Sequence, residues 1–214
     1  MMTKFADRTD AAMQVAEKLS HYRGKNPLIL AIPRGAVPMG DVLADQLDGE
    51  LDVALVRKIG APGQPEYAIG AIDENGHVFM TESPRRLAAM TDYLEKEKTR
   101  QLAICRERRQ QYTHIRPPIS PVERIVIVID DGMATGATMI AALRAVRAQH
   151  PAELICAVPV GHPESLREAA KFADAVSCVL APTHFRAVGQ FYHVFSQVDD
   201  KEVEAILSKR KNAV

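Results

Sequence analysis

Tryptophan is absent from this sequence of 214 residues, and cysteines and long apolar runs are scarce. The three cysteines are an odd number and are too widely spaced for a disulfide framework or a zinc site. No stretch approaches the roughly 18 consecutive apolar residues of a membrane helix, and the first residues lack the apolar region of a secretory signal. We therefore expect reduced thiols and a cytoplasmic location, with no attachment to a membrane.

The sequence also lacks a net charge, because 27 basic residues balance 27 acidic ones. No bulk electrostatic field then attracts nucleic acid or anionic lipid, so small molecules and a second copy in a homodimer are the partners we expect. Hydrophobic residues make up 47% of the chain, which is enough for a proper core. The length suits one α/β domain over residues 1–214.

The most informative stretch is an apolar run that ends at two carboxylates. Val126–Ile129 consists of four β-branched residues, which predicts a strand buried on both faces in a parallel sheet. Asp130 and Asp131 follow at the carboxyl end, where ligand crevices of such sheets lie. Thr135–Thr138 then offers hydroxyls and backbone amides where a helix begins, which is typical of an anion site. Together they predict a sugar-phosphate site, although each half alone is also an ordinary turn or helix cap.

A second strand with a polar end precedes this stretch. Pro27–Ile32 predicts a short buried strand, and it continues directly into Arg34, Gly35 and Ala36. A glycine beside an arginine can present amides and a guanidinium to a polyanion. The alternative is a surface turn with a solvated arginine.

The next apolar segment, Leu51–Val56, predicts another strand with Arg57 and Lys58 at its end. Two adjacent cations there could neutralise phosphate oxygens, or they could simply be solvated. Residues 59–67 contain two glycines and two prolines, which predicts a mobile loop that closes over the site.

A predicted helical insertion spans residues 83–116. Asn75-Gly76 predicts a hairpin turn before it, and Ser83 and Pro84 are typical of a helix start that continues to about Tyr112. Its many basic residues could contact RNA, but a solvated face of an interlobe or dimer helix is the favoured interpretation. After residue 126, strands and helices alternate, which predicts an α/β fold with a mainly parallel, doubly wound sheet.

A late segment gathers aromatic residues that are rare elsewhere. Residues 181–200 predict a small hood in which Phe185 or Tyr192 stacks on a nitrogenous base and the backbone near Val188 reads its edge. Packing of these aromatic rings in the core is the alternative. His162 follows a predicted strand and could touch a ligand or only cap a loop.

Residues 126–138 resemble the thirteen-residue signature of the type I phosphoribosyltransferases, whose donor is phosphoribosyl pyrophosphate. The whole chain is similar to a bacterial family that shares Pro-Arg-Gly, Arg-Lys-x-Gly-x-Pro and Phe-x-x-Val-Gly-x-x-Tyr, and whose acceptor is unassigned. The resemblance implies the type I phosphoribosyltransferase fold and transfer of ribose 5-phosphate to a nitrogenous base, with release of pyrophosphate, in nucleotide salvage. The alternative is a regulatory protein that senses the donor without turning it over.

The resemblance also implies roles for individual residues. Asp130 and Asp131 would hold the ribose hydroxyls and, through water, Mg²⁺. The 5-phosphate would bind at Ala134, Thr135, Gly136, Ala137 and Thr138. The pyrophosphate would bind at Arg34, Gly35, Ala36, Arg57 and Lys58. Since Ala134 replaces the base-contacting carboxylate of the hypoxanthine-guanine members, Glu66 is the candidate acid/base. The alternative is that Glu66 is a solvated carboxylate of the loop.

Overall fold

The computed structural model describes residues 4–80, 89–115 and 117–211, with residues 65–68, 79 and 211 described by their backbone alone. Six helices are present in these residues: α1 (Arg8–Lys18), α2 (Val37–Leu47), α3 (Thr91–Thr113), α4 (Ala137–Arg147), α5 (Pro163–Ala169) and α6 (Asp200–Lys211). The strands are β1 (Leu28–Ala31), β2 (Glu50–Val53), β3 (Val56–Ala61), β4 (Gln64–Asp73), β5 (Val78–Met80), β6 (Ile125–Ile129), β7 (Glu153–Val160) and β8 (Ala175–Leu180). Short 3₁₀ helices cover Ser20–Tyr22 and Val188–Phe191.

The main sheet has five strands in the order β2-β1-β6-β7-β8, and every neighbouring pair is parallel. The predicted doubly wound parallel sheet is therefore confirmed. Strand β6 lies at its centre, and Val126–Ile129 is fully buried, as the run of β-branched residues predicts.

The sheet is covered on both faces, so two apolar clusters share its strands. Alternate residues such as Ile127 and Ile129 pack with residues of α1, α2 and α6. The residues between them, such as Val126 and Val128, pack with residues of α4 and α5. The side-chain alternation along each strand thus joins the two layers of helices into one structure.

A second, antiparallel sheet of β3, β4 and β5 corrects one strand prediction. The segment Leu51–Val56 is not a single strand: β2 ends at Val53, and Val56 already begins β3. Arg57 and Lys58 consequently lie within β3 rather than at the edge of the main sheet. The prediction was wrong because the apolar run contains no glycine or proline where the chain changes sheets.

The predicted mobile loop at residues 59–67 is largely a hairpin. Strands β3 and β4 pair across most of it, with a shift in register around Gly60. Gly63 occupies the turn with φ of 73°, a left-handed conformation that favours glycine. The glycines and prolines therefore mark a turn and a β-bulge instead of a loop without regular structure.

The next two elements differ in how well they were predicted. The hairpin turn at Asn75-Gly76 is present between β4 and β5, and Gly76 has φ of 89°. Helix α3, however, begins at Thr91 after a turn at residues 89–90, so a helix continuous from residue 83 is wrong. The predicted helix start at Ser83 and Pro84 lies outside the described residues.

Helix α3 is fixed to the main sheet by an ion-pair network in which Asp52 is buried and Arg109 and Glu74 are half-buried. The guanidinium of Arg109 lies 3.3 Å from Asp52 Oδ1 and 2.7 Å from Glu74 Oε1, and it donates to the Val53 carbonyl oxygen at 3.1 Å. Asp52 also accepts from the Ile119 amide at 2.9 Å. These contacts hold one end of α3 against β2 and the turn between β4 and β5.

Candidate functional site

The loop after β1 and the loop after β6 lie side by side at one edge of the main sheet, because β1 and β6 are parallel neighbours. The loop after β1 brings Gly35 against the carboxylate of Asp131, which follows β6. A Cβ atom on Gly35 would lie 2.2 Å from Asp131 Oδ2, so only glycine fits here. The peptide bond between Pro33 and Arg34 in this loop is cis.

Asp131 is held by a residue that sequence analysis did not select. Arg8, at the start of α1, donates to Asp131 Oδ2 at 2.8 and 3.2 Å and to the Ser196 carbonyl oxygen at 2.6 Å. Its guanidinium also lies 4.0 Å from the centroid of the Phe195 ring. An arginine in the first turn of a helix gives no sequence signal that it faces a site 123 residues away.

The two carboxyl groups are close enough to affect each other. The Asp131 amide donates to Asp130 Oδ1 at 2.8 Å. Burial, reinforced by the charge of Asp131, raises the pKa of Asp130 well above its usual value. Burial also raises the pKa of Asp131, while the hydrogen bond and charge of Arg8 oppose that shift. Such a pair favours a bound cation or hydroxyl donors, which relieve the repulsion.

A small cavity of about 170 Å³ lies beside Asp130, lined by residues 132–139 and Val188. Gly136, whose φ is 78°, is the N-cap of α4, and within the described residues no side chain caps the first amides of that helix. Thr135 is exposed, and Thr138 is half-buried. Unsatisfied amides at a helix N-terminus form an anion-binding site, so this cavity suits a phosphate group.

A larger cavity of about 460 Å³ lies beside Asp131. Its walls include Arg34 and Gly35 of the loop after β1, together with Arg8 and Arg108. Arg34 Nη1 lies 3.2 Å from Asp200 Oδ2, an ion pair that holds its guanidinium near the cavity. Ala36, in contrast, is fully buried and is not part of the wall.

Two other predicted site residues, Arg57 and Lys58, lie elsewhere. The Arg57 side chain turns toward α3, where its Nε donates to Gln101 Oε1 at 2.5 Å. Neither Arg57 nor Lys58 lines either of the two cavities. Glu66 lies in β4, and its side chain is outside the described part of the structure.

The hood residues separate into buried and accessible groups. Tyr192 is 3% exposed, packs against Phe5 and Phe195, and donates its hydroxyl to the Asp131 carbonyl oxygen at 2.6 Å. The prediction that Tyr192 stacks on a base is therefore wrong, since its ring belongs to the core. Val188 covers Gly132, where a Cβ atom would lie 2.5 Å from Val188 Cγ1, and it lines the small cavity.

Phe185 is half-buried and packs against the larger apolar cluster of the main sheet. Its ring centroid lies 5.0 Å from that of Phe191 and 6.4 Å from that of His162, which approaches edge-on. His162 also precedes α5, and its amide donates to the Met133 carbonyl oxygen at 2.9 Å. The backbone of His162 thus fixes the chain beside the small cavity.

Two absences complete the description of residues 4–80, 89–115 and 117–211. None of the helices in these ranges combines the length and the apolar character needed to span a bilayer. Nor do these ranges contain a cluster of three or more His, Cys, Asp or Glu side chains able to hold a metal ion.

Comparison with known proteins points to one family. Residues 4–196 match the family model described as "Phosphoribosyl transferase domain". The chain is 42% identical to TT1426 from Thermus thermophilus, with a TM-score of 0.84 and coverage of 97% of this chain and 99% of that chain. It is 39% identical over 212 residues to the Mycobacterium tuberculosis protein named "Putative phosphoribosyl transferase Rv0571c". That match covers 97% of this chain and 47% of the relative, so the chain spans about half the length of the curated relatives it matches.

Proposed function

Because the chain belongs to the phosphoribosyl transferase domain family, we propose that it transfers ribose 5-phosphate from phosphoribosyl pyrophosphate to a nitrogenous base and releases pyrophosphate. One observation carries the proposal: two cavities that suit anions lie on either side of a pair of carboxylates. A donor with a phosphate at one end, hydroxyls in the middle and a pyrophosphate at the other end matches this order.

Each part of the donor is assigned to one part of the site. The 5-phosphate accepts hydrogen bonds from the amides of Ala134–Thr138 at the start of α4, where the helix dipole favours an anion. The ribose hydroxyls donate to Asp130 and Asp131. The pyrophosphate lies in the larger cavity against Arg34 and Gly35. The main contribution of the protein to the reaction is then orientation of the donor and stabilisation of the departing charge.

The residues present also fit Mg²⁺. Two adjacent, half-buried carboxyls provide hard oxygen ligands, and the repulsion between Asp130 and Asp131 favours a cation near them. With too few protein ligands for a closed site among the described residues, water and substrate oxygens would complete the coordination, as Mg²⁺ prefers. The ion would neutralise charge on the pyrophosphate. Asp130 and Asp131 would hold the ion through water, and they would accept hydrogen bonds from the ribose hydroxyls.

The acceptor base is assigned to the hood. Phe185 offers a half-buried ring, and Val188 lines the phosphate cavity against Gly132. Ala134 provides no carboxylate to receive a proton from the base. We assign proton transfer to Glu66, whose backbone lies in β4 of the second sheet.

The test is release of pyrophosphate. The protein is incubated with Mg²⁺, phosphoribosyl pyrophosphate and a panel of purine and pyrimidine bases, and pyrophosphate is followed over time. We expect release that depends on one base and that is lost in the D130N/D131N double variant. The matched control is E168Q, which removes an exposed carboxylate that pairs with Lys171 on the surface of α5. Donor binding without base-dependent release would identify a sensor, and absence of donor binding would contradict both functions.

A further inference from the structure

One arginine lies on the buried side of α3. The residues of this helix that are buried include Leu94, Gln101, Cys105 and Tyr112, which follow one another at helical spacings and define its core-facing stripe. Arg108 is three residues after Cys105 and four before Tyr112, so it belongs to the same stripe. It is half-buried, whereas Arg106 on the same helix is exposed.

This side chain reaches the larger cavity of the candidate site. Arg108 lines that cavity with Arg34, Gly35 and Asp131, although it comes from a different part of the chain. Tyr112, one turn further along α3, donates to Asp200 Oδ1 at 3.1 Å, and Asp200 also pairs with Arg34. The α3 stripe and the loop after β1 therefore meet through Asp200 at the wall of the cavity.

The charge of Arg108 is not balanced by a neighbour. Among the described residues, no carboxylate forms an ion pair with it, and no hydrogen bond from its guanidinium is present. The nearby carboxylates are already engaged, since Asp131 in the wall of the cavity pairs with Arg8 and Asp200 pairs with Arg34. A half-buried cation whose neighbouring carboxylates pair with other arginines is costly unless an anion enters the cavity.

The position of Arg108 is determined by its neighbour. Arg109 is fixed by Asp52, Glu74 and the Val53 carbonyl oxygen, so the helix cannot rotate without breaking those contacts. Successive helical residues point about 100° apart, which directs Arg108 away from that network and toward the cavity. A rigid element thus presents the guanidinium, which lowers the entropic cost of binding an anion.

We propose that Arg108 of α3 binds the pyrophosphate group of the donor, opposite Arg34 and Gly35 in the larger cavity. The inference rests on the proposed function, because it takes phosphoribosyl pyrophosphate as the ligand. In this proposal, Arg108 of α3 binds the pyrophosphate in the role that the sequence analysis predicted for Arg57 and Lys58. The planar guanidinium can donate two parallel hydrogen bonds to phosphate oxygens.

The experiment measures binding of three ligands by calorimetry in the presence of Mg²⁺: pyrophosphate, phosphoribosyl pyrophosphate and ribose 5-phosphate. The variants are R108Q, which removes the charge, and R108K, which keeps the charge but not the planar fork. R106Q is the matched control, since it removes an exposed arginine from the same helix. Circular dichroism of each variant checks that α3 is retained.

We expect R108Q to bind pyrophosphate and the donor about tenfold more weakly, with affinity for ribose 5-phosphate changed by less than about twofold. R108K should lie between R108Q and the unmodified protein, and R106Q should match the unmodified protein. Unchanged pyrophosphate affinity in R108Q, while the unmodified protein binds the donor, would overturn this inference alone. If the unmodified protein bound neither pyrophosphate nor the donor, both this inference and the proposed function would be contradicted.

Discussion

The guanidinium of Arg8 lies 2.8 Å from Asp131 Oδ2 and joins the first turn of α1 to the acidic end of β6. Arg8 is 12% exposed and Asp131 is 17% exposed, so water screens this ion pair only in part. The same guanidinium contacts Phe195 and the Ser196 carbonyl oxygen. Arg8 therefore couples the hood segment to the carboxylate pair.

Replacing Arg8 with methionine should destabilise the fold and weaken donor binding. The variant leaves the Asp131 carboxylate without its partner, at a cost of about 2 kcal/mol, below the value for fully buried pairs because both groups keep some exposure. Urea denaturation of R8M measures the free energy of unfolding. R8K keeps the charge, so its free energy of unfolding should decrease by about half as much as that of R8M. Equal stability of R8M and the unmodified protein would show that the ion pair contributes nothing.

A methyl group on Gly35 should remove donor binding. The new Cβ would lie 2.2 Å from Asp131 Oδ2, so the loop after β1 or the carboxylate must move. We expect G35A to bind phosphoribosyl pyrophosphate more than about tenfold more weakly, because both groups contact the donor in the proposed function. G24A is the control: Gly24 has φ of 74° but open space around it, so it should lose only about 1 kcal/mol of stability and no affinity. Normal donor affinity in G35A would contradict the assigned geometry.

The R109M substitution should destabilise the protein more than any exposed arginine does. It leaves Asp52 and Glu74 without their cation, and Asp52 is 4% exposed. Breaking such a pair costs about 3 kcal/mol. Urea denaturation gives the free energies of unfolding of R109M and of the control R106M. If water screened the network fully, the two values would be equal. A difference below about 0.5 kcal/mol would disprove its role as an anchor of α3.

The buried thiols should make stability fall at alkaline pH. Burial raises the pKa of Cys105 from 9.0 to about 11, although the charge of Arg57 opposes the shift. Above pH 9 the thiol ionises in the unfolded chain first, so the free energy of unfolding decreases until about pH 11. C105A removes this contribution and should lose less stability than the unmodified protein between about pH 8 and about pH 10.5. The same decrease in both proteins would mean that this thiol is not responsible.

The central strand and its loops were predictable because their signals are local. The four β-branched residues of Val126–Ile129, the acids after them and the small residues before α4 lie within thirteen positions. Hydrophobicity fixes the strand, and the parallel arrangement places its carboxyl end beside Gly35. The position of the two carboxylates beside both cavities follows from that arrangement.

The remaining site residues depend on contacts that no local pattern contains. Arg8 reaches Asp131 from 123 positions away, and Arg108 reaches the same cavity from α3. Tyr192 has an aromatic ring of the kind that stacks on a base, but the ring is buried because it packs against Phe5 at the other end of the chain. Arg57 was misplaced because hydrophobicity does not change where the chain leaves one sheet for the other.

The two chain segments that complete the site are joined by backbone pairing. Phe5 donates its amide to the Phe191 carbonyl oxygen at 2.8 Å, and the His193 amide donates back to the Phe5 carbonyl oxygen at 2.9 Å. This pairing brings together two residues that nearly the whole chain separates. Its entropic cost is high, and it forms slowly compared with the local βα units. During refolding, we therefore expect the parallel sheet to form before Arg8 reaches Asp131. The ability to bind the donor should then appear last, after the bulk of the secondary structure has been regained.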